Sequence, residues 1–312
     1  MNKKLTTFIL LMSMLGLLFM GGCQGAGDKD EDVSMEIEST EFPLTITDSY
    51  DNEVTLEEKP ERIITVAPSI TETIFALGQE DYLVGRTDFC DYPNEVGQIE
   101  SIGTLQEPNI EKIVELEPDV VVASTHFSED VYNKLTELDI KVVLLNPQDS
   151  FEGVYHVIEK LGKILDANKE AEELVSEMEE TIEQVTEKVQ DQPNPRIYYV
   201  VGYGEHGDFT AGGDTFINEI IEMVSAENVA SEIEGWNYSL ERLVEQDPDM
   251  LIVSKHNNAK EGIMEASGYK ELTAVKEERV YEIDNNLLDR QGPRIAEGLK
   301  QLAKIVHPDV FK

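Results

Sequence analysis

Basic side chains are scarce. Only 25 Lys and Arg stand against 64 Asp and Glu in 312 residues, a formal charge of −39. That balance excludes a nucleic-acid partner, because phosphate binding needs clustered Lys and Arg. It also disfavours adsorption of the folded surface to anionic lipid. Two cysteines in the whole chain exclude a disulfide-stapled scaffold. The five histidines are scattered and form no close pair, which argues against a zinc site. No Gly-x-Ser-x-Gly, Walker loop or zincin motif is present, and no Ser/His/Asp set suggests itself, so nothing marks an enzyme. What remains is ample apolar material, 40% of residues, enough for a large core in one or two domains.

The longest apolar run is short. Phe8 to Met20 spans 13 residues behind Lys3 and Lys4. That is too little to cross a bilayer but suits a signal-peptide core, so residues 1–22 read as a cleaved leader. Met20-Gly21-Gly22-Cys23 then resembles a bacterial lipobox. In that reading Cys23 becomes the lipidated N-terminus and holds the protein at the outer face of the cell membrane. Met20 departs from the usual Leu, and an ordinary signal peptide with a chance cysteine stays open. Residues 23–41 follow as an acidic flexible tether that cannot bury a core. The mature balance of 23 basic and 64 acidic residues, −41, favours solubility and identifies no ligand. Cys90 is left as the one ordinary thiol, expected to be a small apolar filler.

The body reads as α/β with mostly parallel strands. Phe42–Thr47 and Glu53–Leu56 are strand-like pieces around a turn. Arg62–Val66 is a β-branched strand, after which Ser69 is expected to cap a helix that ends at Gly78. A repeat organises the rest. Ile110–Ser124 reads IEKIVELEPDVVVAS and Leu240–Ser254 reads LERLVEQDPDMLIVS, with six of fifteen positions identical. Each predicts a short helix, a Pro-Asp turn and a buried strand. Arg62-Ile63 and Arg196-Ile197 echo each other at nearly the same offset. Two similar lobes are implied, residues 42–167 and 191–312. Between them Asn168–Gln190 has no Gly or Pro, with Leu174, Met178, Ile182 and Val185 at helical spacing. Those residues predict one stiff helix of about 35 Å joining the lobes, with the ligand cleft between them. Asp214, in a glycine-rich rim loop, is expected to cap a helix.

Five stretches carry a resemblance: PERIITVAPSITETIFALG (Pro60–Gly78), VGRTDFCDYP (Val84–Pro93), PNIEKIVELEPDVVVAS (Pro108–Ser124), GWNYSLERLVEQDPDMLIV (Gly235–Val253) and the segment Val275–Phe311. In this order they resemble the substrate-binding lipoproteins of ABC importers for vitamin B12, ferric siderophores and haem. The resemblance implies a non-enzymatic, monomeric receptor without a cofactor, serving a permease dimer. It places Phe89, Trp236 and Arg290 at ligand-contacting positions of B12 binders, where flat aromatic faces suit a macrocycle and a guanidinium its amides. Leu105 and Ser124 stand where the enterobacterial B12 binder has tryptophans. Only seven arginines occur, and Arg86, Arg290 and Arg294 are too few for a trianionic siderophore. His126, His206 and His256 follow strand ends and are candidate haem ligands. A corrinoid therefore ranks first, a ferric siderophore second and haem third. A chelatase-like surface metallo-enzyme and a structural adhesin are the competing classes. Finally, the resemblance puts permease-docking carboxylates at Glu111 and Glu241, although a helix-start Glu is also favoured by the helix dipole alone.

Overall fold

The computed structural model describes residues 39–204 and 207–312. The expected leader, Cys23, most of the 23–41 tether and His206 lie outside these residues. Among the described residues no helix is long and apolar enough to cross a membrane.

A hairpin of β1 (Leu44–Thr47) and β2 (Glu53–Leu56) opens the body. The first sheet then forms from β3 (Ile63–Val66), β4 (Leu83–Gly85), β5 (Val120–Ala123) and β6 (Val142–Leu144), all parallel, in the order β4-β3-β5-β6. Helices α1 (Pro68–Ala76), α2 (Ile110–Glu115), α3 (Glu129–Glu137) and α4 (Phe151–Ile164) accompany it. Helix α5 (Asn168–Val189) follows as one uninterrupted element, within one residue of the run expected from spacing.

The second sheet uses β7 (Arg196–Tyr199), β9 (Glu227–Asn228), β11 (Met250–Ser254) and β12 (Val280–Ile283), again parallel, in the order β9-β7-β11-β12. A small antiparallel pair, β8 (Asp208–Phe209) with β10 (Asn237–Tyr238), stands beside it. The helices here are α6 (Phe216–Met223), α7 (Leu240–Gln246), α8 (Ala259–Glu265), α9 (Thr273–Lys276), α10 (Asn286–Asp289) and α11 (Ile295–Val306). The two sheets share one strand order, with β5 and β11 as equivalent inner strands.

The sequence echo has a physical cause. Asn109 and Ser239 cap α2 and α7 by accepting from the backbone N–H of Lys112 and Arg242, each at 3.1 Å. Both helices stop at a left-handed residue, Glu117 (φ 45) and Asp247 (φ 42). The guanidinium of Arg62 then donates to the carbonyls of Leu116 and Glu117, and Arg196 Nη1 to that of Gln246. These are the carbonyls a helix leaves unpaired at its C-terminus, where positive charge is favoured. The Asp of each Pro-Asp turn closes the unit: Asp119 accepts from Arg62 N and Asp249 from Arg196 N, both at 2.8 Å. Each Arg and each Asp thus ties a helix end to the strand beside it.

Strand alternation divides the interior. Ile63, Ile197 and Tyr199 face a core shared by both halves. Their neighbours Ile64 and Val66 face an outer core of the first half, and Tyr198 and Val200 one of the second. The shared core includes Met178, Val185 and Val189 of α5, which lies against both α4 and α11. Burying each such side chain contributes about 1.5–3 kcal/mol.

Two local expectations fail. Ser69 does not cap α1; the helix begins one residue earlier, at Pro68, with Ala67 as N-cap. Proline suits that first position because its missing N–H would be unpaired anyway. Asp214 does not cap α6; Thr215 does, accepting from Asn218 N at 3.2 Å, while Asp214 accepts from Gly235 N at 2.7 Å.

Candidate functional site

In parallel α/β sheets the loops after strand ends build ligand sites. Here those loops meet around a cleft of about 670 Å³. From the first half come Pro68 and Ser69 after β3, Phe89 after β4, His126 after β5 and Asp149 after β6. The second half supplies Val201 after β7, Asp214, Phe216 and Trp236, and the run Leu288–Gln291 after β12. Phe89 and Trp236, from opposite halves, remain 48% and 44% exposed. Large aromatic side chains left this open are available for stacking on a ligand. Deeper in, Phe216 meets Phe151 of the first half edge-on, with ring centroids 4.8 Å apart.

Arg290 also lines the cleft, but its guanidinium is already engaged. Nη1 donates to Glu72 Oε1 at 2.8 Å and to Asp91 Oδ1 at 2.6 Å; Nη2 donates to the Phe89 carbonyl at 3.2 Å. Arg294 donates to the same Glu72 through Nε and Nη2, at 2.8 and 2.7 Å. Its guanidinium also stacks over the Tyr92 ring at 3.9 Å. Glu72 is thus shared by two arginines four residues apart, and every one of these bonds crosses from the second half to the first. Its side chain is only 2% exposed, and those of Arg290 and Arg294 13% and 14%. Burial disfavours the charge on both guanidiniums, yet the bonds to Asp91 and Glu72 at Arg290, and to Glu72 at Arg294, outweigh it and raise both pKa values. Nearby, Gln291 Nε2 donates to Asp149 across the same seam. Gly292 rests against Ser69, where an added Cβ would come within 3.1 Å of the serine Cβ.

Three aspartates complete the lining: Asp149, Asp214 and Asp289. Asp289 accepts from Tyr199 Oη at 3.2 Å and Asn285 Nδ2 at 2.6 Å. Desolvation of this carboxyl group pushes its pKa up, although the residue as a whole still reaches solvent.

The structure therefore brings Phe89, Trp236 and Arg290 to one cleft, with Leu105 and His126. It separates others from it. Arg86 donates to the Thr87 carbonyl and does not line the cleft. His256 lies 3.3 Å from Asp284, apart from the cleft lining, and Ser124 is buried. Cys90 is buried and free, its sulfur 3.1 Å from Thr71 Oγ1 and 3.3 Å from Thr87 Oγ1. Glu111 and Glu241 are exposed in the first turns of α2 and α7. Among the described residues no group of three or more His, Cys, Asp or Glu is arranged to hold a metal ion. Sequence reasoning missed Glu72, Asp149 and Asp289. Glu72 had a signal: it is the one charged residue in the otherwise uncharged run from Ile63 to Gly78.

Two parallel-sheet halves around one cleft suit a protein that holds a ligand between them. The chain belongs to the periplasmic binding protein family, matching it over residues 63–287. It is 33% identical over 305 residues to the ABC transporter substrate-binding lipoprotein YvrC of Bacillus subtilis, covering 96% of each chain. It is 28% identical over 279 residues to a cobalamin-binding protein of Halobacterium salinarum, covering 85% of this chain and 74% of that one. A periplasmic haem-binding protein from Pseudomonas aeruginosa superposes with a TM-score of 0.74 at 24% identity, covering 80% of this chain and 94% of that one. The two relatives are named as a substrate-binding lipoprotein of an ABC transporter and a cobalamin-binding protein, not as enzymes.

Proposed function

We propose that this protein is an extracytoplasmic receptor that captures a corrinoid and delivers it to an ABC permease dimer. The observation that carries this reading is the pair of half-exposed aromatic walls, Phe89 and Trp236, contributed to one cleft by opposite halves. Their flat faces suit a broad macrocycle. A relative named for cobalamin binding supports the same choice. Haem is the second reading, favoured by His126 in the cleft lining. Residues 42–167 and 191–312 act as the two lobes and 168–190 as their connecting helix. Cys23 carries the lipid that retains the receptor at the membrane, as the name of the Bacillus relative suggests. Glu111 and Glu241 dock onto the two permease subunits. In support, Val114 and Val244, one turn further along equivalent helices, are both large apolar residues left exposed. A twin acidic and apolar surface suits a two-fold symmetric partner.

Trp236 is the sole tryptophan, so its emission reports on this wall alone. Titration with cobalamin, cobinamide, haem and ferric enterobactin tests the reading. Saturable quenching by the corrinoids is the expected result. Quenching by haem or the siderophore alone would overturn it.

A further inference from the structure

We propose that the cleft selects by charge, taking cationic metal chelates and rejecting anionic ones, so that a corrinoid without the nucleotide phosphodiester binds better than complete cobalamin. The inference rests on the corrinoid reading and adds to it the electrostatic class of the ligand.

Two independent observations support it. The first is the charge inventory of the lining. Asp149, Asp214 and Asp289 face the cleft, and Arg290 is the one Lys or Arg there. The Arg290 charge does not wait for a ligand. It is met by Glu72 and Asp91, and with Arg294 these form a group of two cations and two anions with no net charge. The three aspartates receive only neutral donors. Gln291 Nε2 serves Asp149, the Gly235 N–H serves Asp214, and Asn285 Nδ2 with Tyr199 Oη serves Asp289. Among the described residues none of the three forms an ion pair with Lys, Arg or His. Arg290 also acts on Asp289 through space, yet Arg290 and Arg294 together face Glu72, Asp91 and the three aspartates, so the net charge around the lining is negative, and the chain's formal charge of −39 adds to that field. The second observation is the pair of open aromatic walls. The negative face of an aromatic ring attracts cations, and tryptophan does so best. Carboxylates and ring faces thus favour the same sign of ligand. They also accept N–H bonds from amides, so an amide-rimmed macrocycle loses nothing by meeting acceptors instead of guanidinium donors.

The test is Trp236 quenching by aquocyanocobinamide, a single cation, and cyanocobalamin, which is net neutral. The two differ chiefly in the phosphate-bearing loop. Cobinamide should bind about tenfold more tightly in about 20 mM salt, and the preference should fall to about twofold in about 500 mM salt. Asp149→Asn with Asp289→Asn keeps the shape and removes two charges; it should cut the low-salt preference to about twofold. Equal affinities at both salt levels, or tighter cobalamin binding, would overturn the charge rule while leaving the corrinoid reading intact. If neither corrinoid quenches, the corrinoid reading fails. The cationic ferrioxamine B and the trianionic ferric enterobactin then test the charge rule by themselves. Tighter binding of ferrioxamine B supports it, and tighter binding of ferric enterobactin overturns it.

Discussion

Replacing Glu72 by Gln should destabilise the protein far more than a surface charge would. The substitution preserves volume but removes the carboxylate between Arg290 and Arg294. One amide oxygen is left for two guanidiniums, and the new N–H group points a donor at one of them. Breaking a buried ion pair from one side typically costs about 3–5 kcal/mol. The figure here should be lower, because Arg290 keeps Asp91 and the Phe89 carbonyl and Arg294 keeps the Tyr92 ring. A loss of about 2–4 kcal/mol is expected, which in a chain of this size lowers Tm by roughly 3–7 °C. Asp91→Asn is the control: Asp91 is 60% exposed, so its loss should stay below about 1 kcal/mol. Circular dichroism melts of both variants make the comparison. The bonds also fix where Phe89 stands, so Glu72→Gln should weaken ligand quenching of Trp236, and should add little once Arg290 is already alanine. A Glu72→Gln melt no lower than that of Asp91→Asn, or additive losses of affinity, would refute this account of the seam.

Glu111→Ala combined with Glu241→Ala should abolish uptake of labelled cobalamin while Trp236 quenching and Tm hardly change; transport that survives would leave both as ordinary helix-start carboxylates. Cys23→Ser should leave an uncleaved precursor or release the protein into the medium, and unchanged metabolic lipid labelling would contradict the anchor. Asp289 carries a carboxyl whose pKa is raised by desolvation, so the folded state holds that proton more tightly than the unfolded chain. Its stabilisation is present below the ordinary aspartate pKa and is lost as pH rises through the folded value. Asp289→Asn should therefore melt higher than the parent at about pH 7; because the residue is exposed, solvent screening keeps the gap under about 1 kcal/mol, and it should close at about pH 3, so a gap of constant size would refute the assignment.

Much of this fold was legible because its local signals agree. The left-handed stops at Glu117 and Asp247, the Arg62 and Arg196 contacts and the Pro-Asp turns are all short-range consequences of residue type. They recur wherever the same residues do. Asn168–Val189 was readable from spacing for the same reason. Boundaries were less so: a serine beside a proline looks like a cap, and only the backbone shows that the helix already began at Pro68. At the site, Phe89, Trp236 and Arg290 were marked by resemblance. What Arg290 holds was not, because its partners Glu72 and Asp91 lie 218 and 199 residues away. Pairings at that separation leave no trace in a single sequence. The acidic lining was hidden likewise, since Asp149, Asp214 and Asp289 are three among 64 carboxylic residues until the chain is folded.

The shared core bears on how the two halves stay together. Each half has an outer core of its own and turns a further apolar face to α5, which packs against α4 of one half and α11 of the other. A free-standing half would expose that face to water, at about 25 cal/mol for each Å² of apolar surface. Because α5 joins the halves in one chain, their association is intramolecular and does not depend on protein concentration. Residues 39–167 produced alone should self-associate through the face left uncovered, and a stable monomer in sedimentation would argue against this account of the packing. The halves share a strand order but not a lining: one brings Phe89 and the other Trp236, so the cleft offers its ligand two different sides.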